Sequence, residues 1–437
     1  MLLLGHYWSF AMPQPLIAIS RQQALWFAGF LVLYQFLTYI ANDMIMPGMI
    51  HVVNSFHGRE SAIATSLTAY VLGGASLQLF LGPISDRVGR RPVMIAGALL
   101  FFLFTVAIAC SHSMTQFLVA RYFEGMGLCF IGVIGYATLQ EIYAEMDAVR
   151  LVAVLSNVAM LAPLLGPLAG ATFILYFDWR GIFVLIGSLA LLALYGIWRF
   201  MPEPVGATKH DGQLIPRVSL SPKTVFTNYK RLFSNPAFMI GALSAGILGA
   251  PCIAWIAISP IILVTDAHLS VIDYALWQLP MFGAGILGNW YLRRLTHQHT
   301  LKSIINFGSA IAVFGLLLLG LLPLLISKHY LWLIPGLTIY GFGLGVVTSP
   351  LNRLVLFSTP VSKGTAYAMI SMIRMCAQAL GVEVGNFVYQ QHSNVYFGLF
   401  CAITGLVYLL GLISIWWLIP SRNQENQDWG EQAQPNF

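Results

Sequence analysis

Asp43, Arg121 and Glu124 are charged residues set inside long apolar stretches of the chain. A charge at the centre of a membrane helix costs at least about 2.5–3.5 kcal/mol. Such charges persist where they pair with each other or line a wet path for ions or solute. Two carboxyl groups beside a guanidinium can take up and release protons, and in different surroundings they titrate at different pH. The plainer alternative is a static ion pair on Arg121 that only fixes packing.

The surrounding composition decides what carries these residues. Of 437 residues, 58% are hydrophobic and 9% are charged, where a soluble domain carries roughly 25% charged residues. That deficit excludes an ordinary soluble fold. The net charge of +6 forms no nucleic-acid patch, because the basic residues sit in short loops. Cys110, Cys129, Cys252, Cys376 and Cys401 lie in or beside apolar segments without CxxC spacing, so neither a disulfide framework nor a zinc site is indicated. Met1 to Pro15 is too short and poorly patterned for a cleaved signal peptide.

About 20 apolar residues span the hydrocarbon core as a helix. That length predicts twelve spans, near 24–49, 62–81, 93–111, 115–140, 151–176, 181–200, 237–264, 272–292, 302–326, 330–357, 364–391 and 396–420. The expected fold is all-α and integral to the membrane, with two six-helix bundles at 24–201 and 237–420. Residues 1–23 form a leading segment, 202–236 a hydrophilic linker and 421–437 a tail. A faint repeat relates the halves: Leu81-Gly82 precedes Arg87 as Leu287-Gly288 precedes Arg293.

With the amino terminus inside, 16 of the 22 Lys and Arg residues face the cytoplasm, 3 (Arg59, Arg180, Lys328) face outward, and Arg121, Arg353 and Arg374 stay within helices. The positive-inside rule therefore places both termini in the cytoplasm. Lipid bilayer, protons and a small-molecule substrate are the expected partners of a monomer. Neither nucleic acid nor a cofactor beyond a proton gradient is expected. All ten histidines lie away from the helix centres and no catalytic cluster is visible, so an enzyme is not expected.

Two motifs go further. The loop GPISDRVGRRP contains Gly82, Asp86, Arg87, Gly89, Arg90 and Arg91, with glycines for a tight turn and arginines for an anionic inner leaflet. Alone it could be a basic loop that only fixes topology. Helix five carries Pro163, Gly166, Pro167 and Gly170, a pattern that bends a helix or packs it closely. The first motif resembles the signature loop of the major facilitator superfamily, and the second resembles the helix-five motif of its exporters. With LVLYQFLTYIANDMIMPGM in helix one and RYFEGMGLCFIGVIGYATLQE in helix four, the chain is similar to the superfamily's multidrug/proton antiporters, most strongly over 21–205.

The resemblance implies the major facilitator fold and proton-driven export of lipophilic drugs, cationic or neutral, through an inner membrane. It implies that Asp86 and Arg87 latch the two bundles together in the outward-open state. The buried charges themselves set the expectation of proton coupling at Asp43, Arg121 and Glu124, and the resemblance implies a pocket lined by Gln35, Tyr39, Asn42, Asp43, Leu67, Leu128, Tyr136, Leu155, Asn157 and Ala159. Each pocket residue, taken alone, is ordinary helix packing more often than not. Arg353 matches a family arginine and is a candidate gate or helix-end cap. Arg374 departs from the pattern and is a candidate for gating or substrate selection. The runner-up reading keeps the fold and changes the cargo to one endogenous metabolite, such as a siderophore.

One departure sets an expectation. The family carries an acid where this chain has Gln35, and a neutral glutamine where it has Glu124. At about 1.5 Å per residue, Asp43 lies at the level of Arg121, and Gln35 at the level of Glu124. Glu124 is therefore expected to replace the missing carboxylate across one cavity. Glu383 is expected to be solvated near an outer helix end, away from Arg374. The HxH pair His297 and His299 reads as a solvated loop.

Overall fold

Capping side chains mark where helices begin. Ser20, Ser113, Asn235, Ser270 and Thr300 each accept a hydrogen bond from the backbone N–H three residues on, and Ser270 with Asp273 forms a reciprocal capping box. Past each cap the chain stays apolar long enough to cross a bilayer. The structure, a computed structural model, describes residues 15–143, 145–212, 214–215, 222–296, 298–361 and 363–418. His297 and the tail after Ser421 lie outside them.

Twelve long helices follow: one Arg21–Ser55, two Ala62–Val88, three Arg90–Ala109, four Met114–Ile142, five Glu145–Ile174 and six Arg180–Phe200 in the first half. The second half has seven Pro236–Asp266, eight Val271–Leu295, nine Leu301–Leu325, ten Tyr330–Phe357, eleven Lys363–Tyr389 and twelve Asn394–Leu418. Ten are long and apolar enough to cross a membrane over their described residues, and helices five and eight, of 30 and 25 residues, complete the set. Helix one runs further than expected, through a 3-10 turn at Met46–Gly48 and on to Ser55. Helix four relaxes into a π turn at Ile131–Gly135, and helix seven does so at Ile261–Asp266.

The same packing recurs in both halves. Helix one lies against five and six, two against four, and three against four and six. Seven lies against eleven and twelve, eight against ten, and nine against ten and twelve. Adding six to each helix of the first set gives the second, the signature of a parallel structural repeat. The halves meet through two with eleven and through five with eight, which are likewise related pairs. Large apolar side chains such as Phe80, Leu380, Phe387 and Trp417 are exposed around the outside, where lipid replaces water.

Both faces of the bundle carry ties. On the linker face, Gly89 turns the chain at φ 119°, and a Cβ there would sit 2.4 Å from Glu203 Oε2, so only glycine fits. Glu203 accepts hydrogen bonds from the backbone N–H groups of Arg90 (2.9 Å) and Arg91 (3.0 Å), capping helix three. Pro222–Phe233, expected as irregular linker, forms an amphipathic helix. Its Tyr229 hydroxyl donates to the Leu79 carbonyl of helix two at 2.8 Å, and burial pushes that phenol up to about 12. On the opposite face the halves join directly. Asp266 of helix seven lies 2.8 Å from His392 and accepts from the Tyr389 hydroxyl at 2.5 Å, while His392 also lies 3.8 Å from Glu60 of the first half.

Candidate functional site

Arg121 and Glu124 stand three residues apart on helix four and so share one face. Arg121 Nη1 lies 2.6 Å from Glu124 Oε2, and both side chains are wholly buried. Glu124 Oε1 accepts from the Thr105 hydroxyl of helix three at 2.9 Å. Arg121 Nη2 donates to Asn42 Oδ1 at 2.8 Å, and Nη1 approaches the Ala41 carbonyl at 3.4 Å. Its guanidinium lies over the Tyr70 ring, 4.4 Å from the centroid. The Tyr70 hydroxyl donates in turn to the Thr38 carbonyl of helix one. Asn42 Nδ2 donates to Asp43 Oδ1 at 3.1 Å. A continuous polar chain therefore runs Thr105–Glu124–Arg121–Asn42–Asp43 through the first half.

Asp43 and Arg121 do lie at one level, but they form no ion pair. Arg121 takes Glu124 as its counter-ion, and Asn42 stands between Arg121 and Asp43. No hydrogen bond joins Glu124 to Gln35. Tyr34, beside Gln35, donates to the Gly127 carbonyl at 3.2 Å, so Gln35 lies almost a turn nearer the linker face than Glu124. Gln35 instead donates to the Tyr136 hydroxyl at 3.3 Å. Glu124 is held by Thr105 of helix three and Arg121 of helix four.

Asp43 points elsewhere. A Cβ on Gly166 of helix five would sit 2.7 Å from Asp43 Cβ, and one on Gly170 would sit 1.8 Å from the Met44 carbonyl oxygen. The helix-five glycines thus press that helix onto helix one at the acid itself, and the helix runs unbroken through Pro163 and Pro167. Asp43 lies within electrostatic reach of Cys252 and Tyr274, on helices seven and eight of the other half. Of the two acids in the network it is the one close to the other half. Gly170→Ala is expected to cost about 1–3 kcal/mol by forcing helices one and five apart. Thermal unfolding of the purified protein in detergent checks this; an unchanged transition would mean that the contact is dispensable.

The remaining candidates divide. Tyr39 is half-buried one turn below Asp43, and Leu128 packs toward Gly74 of helix two. Leu67 and Leu155 are buried in the hydrophobic core. The side chains of Asn157 and Ala159 lie outside those described. Arg353 stacks over Phe357, 4.9 Å from its ring centroid. Arg374 is half-buried on helix eleven. Glu383, expected to be solvated, has one carboxylate oxygen buried without a hydrogen-bond partner.

In this structure the signature loop pairs within its own half. Asp86 pairs with Arg90 at 2.6 Å, and Arg90 with Glu141 of helix four at 2.8 Å, all within the first half. Arg87 is exposed. The carboxylate closest to hand wins: Arg90 begins helix three one turn beyond Asp86. Thr105, Tyr70 and Glu203 were missed from the sequence. Thr105 had a weak signal, as a hydroxyl inside the apolar run FFLFTVAIA.

Two six-helix halves that meet through helices two, five, eight and eleven, with a buried charge network inside the first half, are the architecture of a membrane transporter. Residues 31–382 match the model of the Major Facilitator Superfamily, and the chain belongs to that superfamily. It is similar to the multidrug transporter MdfA of Edwardsiella piscicida, 44% identical over 388 residues that cover 89% of this chain and 93% of that one. It is similar also to MdfA of Yersinia pestis bv. Antiqua, 41% identical over 394 residues that cover 90% and 94% of the two chains. Among solved structures, the partially occluded, inward-open xylose transporter XylE of E. coli matches at a TM-score of 0.67 and 15% identity, covering 91% of this chain and 98% of that one. That likeness extends to the fold alone.

Proposed function

We propose that this protein exports lipophilic small molecules, drugs among them, in exchange for protons, as a monomer in an inner membrane with both termini in the cytoplasm. The observation that carries the reading is Asp43, a buried acid held only by the neutral Asn42 and close to the other half. Similarity to multidrug transporters over about nine-tenths of the chain supports it. A cation reaching Asp43 competes with its proton, and a returning proton expels the cation, which is the logic of exchange. One proton moving inward across 100 mV supplies about 2.3 kcal/mol. That supports roughly a forty- to fiftyfold gradient of a neutral solute. The proton gradient drives the cycle without a cofactor.

The test is uptake of ethidium and of chloramphenicol by everted vesicles containing the protein, with and without a protonophore. Both are expected to accumulate only in energised vesicles. If neither does, the multidrug reading falls and a single endogenous cargo takes its place.

A further inference from the structure

His392 stands where helices two, seven and eleven meet, on the face opposite the linker. It follows helix eleven in a left-handed turn at φ 49°, and its backbone N–H donates to the Tyr389 carbonyl at 2.7 Å. Its Nδ1 lies 2.8 Å from Asp266 Oδ1, at the end of helix seven in the same half. The other oxygen of Asp266 accepts from the Tyr389 hydroxyl at 2.5 Å, so that carboxylate is held from two sides. His392 Nε2 lies 3.8 Å from Glu60 Oε2, which precedes helix two in the other half. That separation is within reach of an ion pair and longer than a hydrogen bond. Beside it Asn386 Nδ2 approaches the Ser61 carbonyl at 3.4 Å, a neutral contact between the halves. Arg59 neighbours Glu60, His268 follows helix seven, and Glu383 lies three residues before Asn386. Lys328 and His329 precede helix ten, and the Lys328 carbonyl accepts from Asn394 Nδ2 at 2.8 Å. Among the described residues, Glu60 and Asp266 each have His392 as their only salt-bridge partner.

The two acids ask different things of the ring. Asp266 accepts at Nδ1, which places the proton of a neutral imidazole there and leaves a lone pair on Nε2. That lone pair repels the Glu60 carboxylate. A second proton turns Nε2 into a donor, and one cation then serves both acids. We propose that His392 is a proton-binding site that clasps the halves together on the face opposite the linker, its imidazolium bridging Asp266 of one half and Glu60 of the other. Loss of the Nε2 proton cuts only the link that crosses between the halves, and Asp266 stays bonded. Protonation therefore favours closure of this face. Closure weakens as pH rises through about 5–8, the range in which histidine gives up its charge. The side chains of His392 and Glu60 are 47% and 37% exposed, so water and salt screen the pair and the clasp biases closure without locking it. The geometry of the clasp does not depend on cargo; which compartment it senses rests on the proposed orientation. In that orientation an acidic exterior both loads Asp43 and favours the closure that carries its proton inward.

Spin labels attached through Asn54→Cys and Ser327→Cys, exposed positions on the two halves of this face, report its opening by double electron–electron resonance. The sample is the purified full-length protein in lipid nanodiscs, with the native cysteines replaced by alanine. The clasp is expected to raise the ratio of closed to open populations roughly two- to fivefold between about pH 8.5 and about pH 5.5, the scale of a screened ion pair. His392→Asn, which suits the left-handed turn, is expected to lose that part of the pH response. Glu60→Gln is expected to lose the same part, and the two together no more than either alone. A pH response in His392→Asn equal to that of the parent overturns the proposal. So does a full response in Glu60→Gln, which would leave His392 acting on Asp266 within one half. Ethidium uptake by vesicles tests export separately. Its absence together with an intact clasp would remove the exporter and leave the clasp.

Discussion

Replacing Glu124 with alanine is expected to lower stability by about 3–5 kcal/mol, the usual cost of removing one partner from a buried ion pair. The cost arises on the arginine side. Without Glu124 the Arg121 guanidinium keeps only neutral acceptors, Asn42 Oδ1 and the Ala41 carbonyl, in a wholly buried setting. Thr105 also loses the carboxylate it donates to. Unfolding of the purified protein in detergent under a denaturant gradient checks this. The double replacement Arg121→Leu with Glu124→Leu is expected to be milder than Glu124→Ala, because it removes both charges together. Glu124→Gln separates a structural acid from one that meets cargo. It is expected to destabilise the protein and to weaken transport of every substrate in parallel. A stable Glu124→Gln protein that loses ethidium alone would restore the idea of a relocated cargo carboxylate.

Asp43→Asn should behave in the opposite way. Asp43 has the neutral Asn42 as its hydrogen-bond partner, so the substitution leaves no counter-charge stranded. Stability is expected to change little. Binding of a lipophilic cation is expected to weaken roughly 10- to 150-fold, the equivalent of about 1.5–3 kcal/mol for a contact with an ionised group. Ethidium titration of the purified variant reads the first effect. Uptake of ethidium by vesicles across a series of imposed pH gradients reads the second, since a residue that no longer titrates should flatten the dependence. Wild-type affinity together with an intact pH response would move the coupling site off Asp43.

Much of this was legible in the chain itself, for identifiable reasons. Twelve helices could be placed because an apolar run of about 20 residues has few other uses. Asp43, Arg121 and Glu124 stood out because charge is costly in such runs. Which acid Arg121 would take was harder to read. Rise along a helix gives depth but not azimuth, and depth alone put Asp43 opposite Arg121. The three-residue spacing of Arg121 and Glu124 already favoured a pair on one helix face. The Pro222–Phe233 helix was concealed because it is short and polar on one side, with Val225, Phe226, Tyr229, Leu232 and Phe233 marking the other. Glu203 was unreadable as a cap of helix three, because the two N–H groups it caps there lie more than a hundred positions earlier.

The order of groups in the buried chain has an electrical consequence. A hydrogen-bonded path conducts protons only if every member can both give and accept one. Arginine has five donors, no acceptor, and stays charged in proteins. Standing between Glu124 on one side and Asn42 with Asp43 on the other, Arg121 behaves as an insulator that transmits field but no current. In the proposed exchange a proton on Asp43 would therefore come and go without passing Arg121, and Glu124 would sense it only as a change in potential.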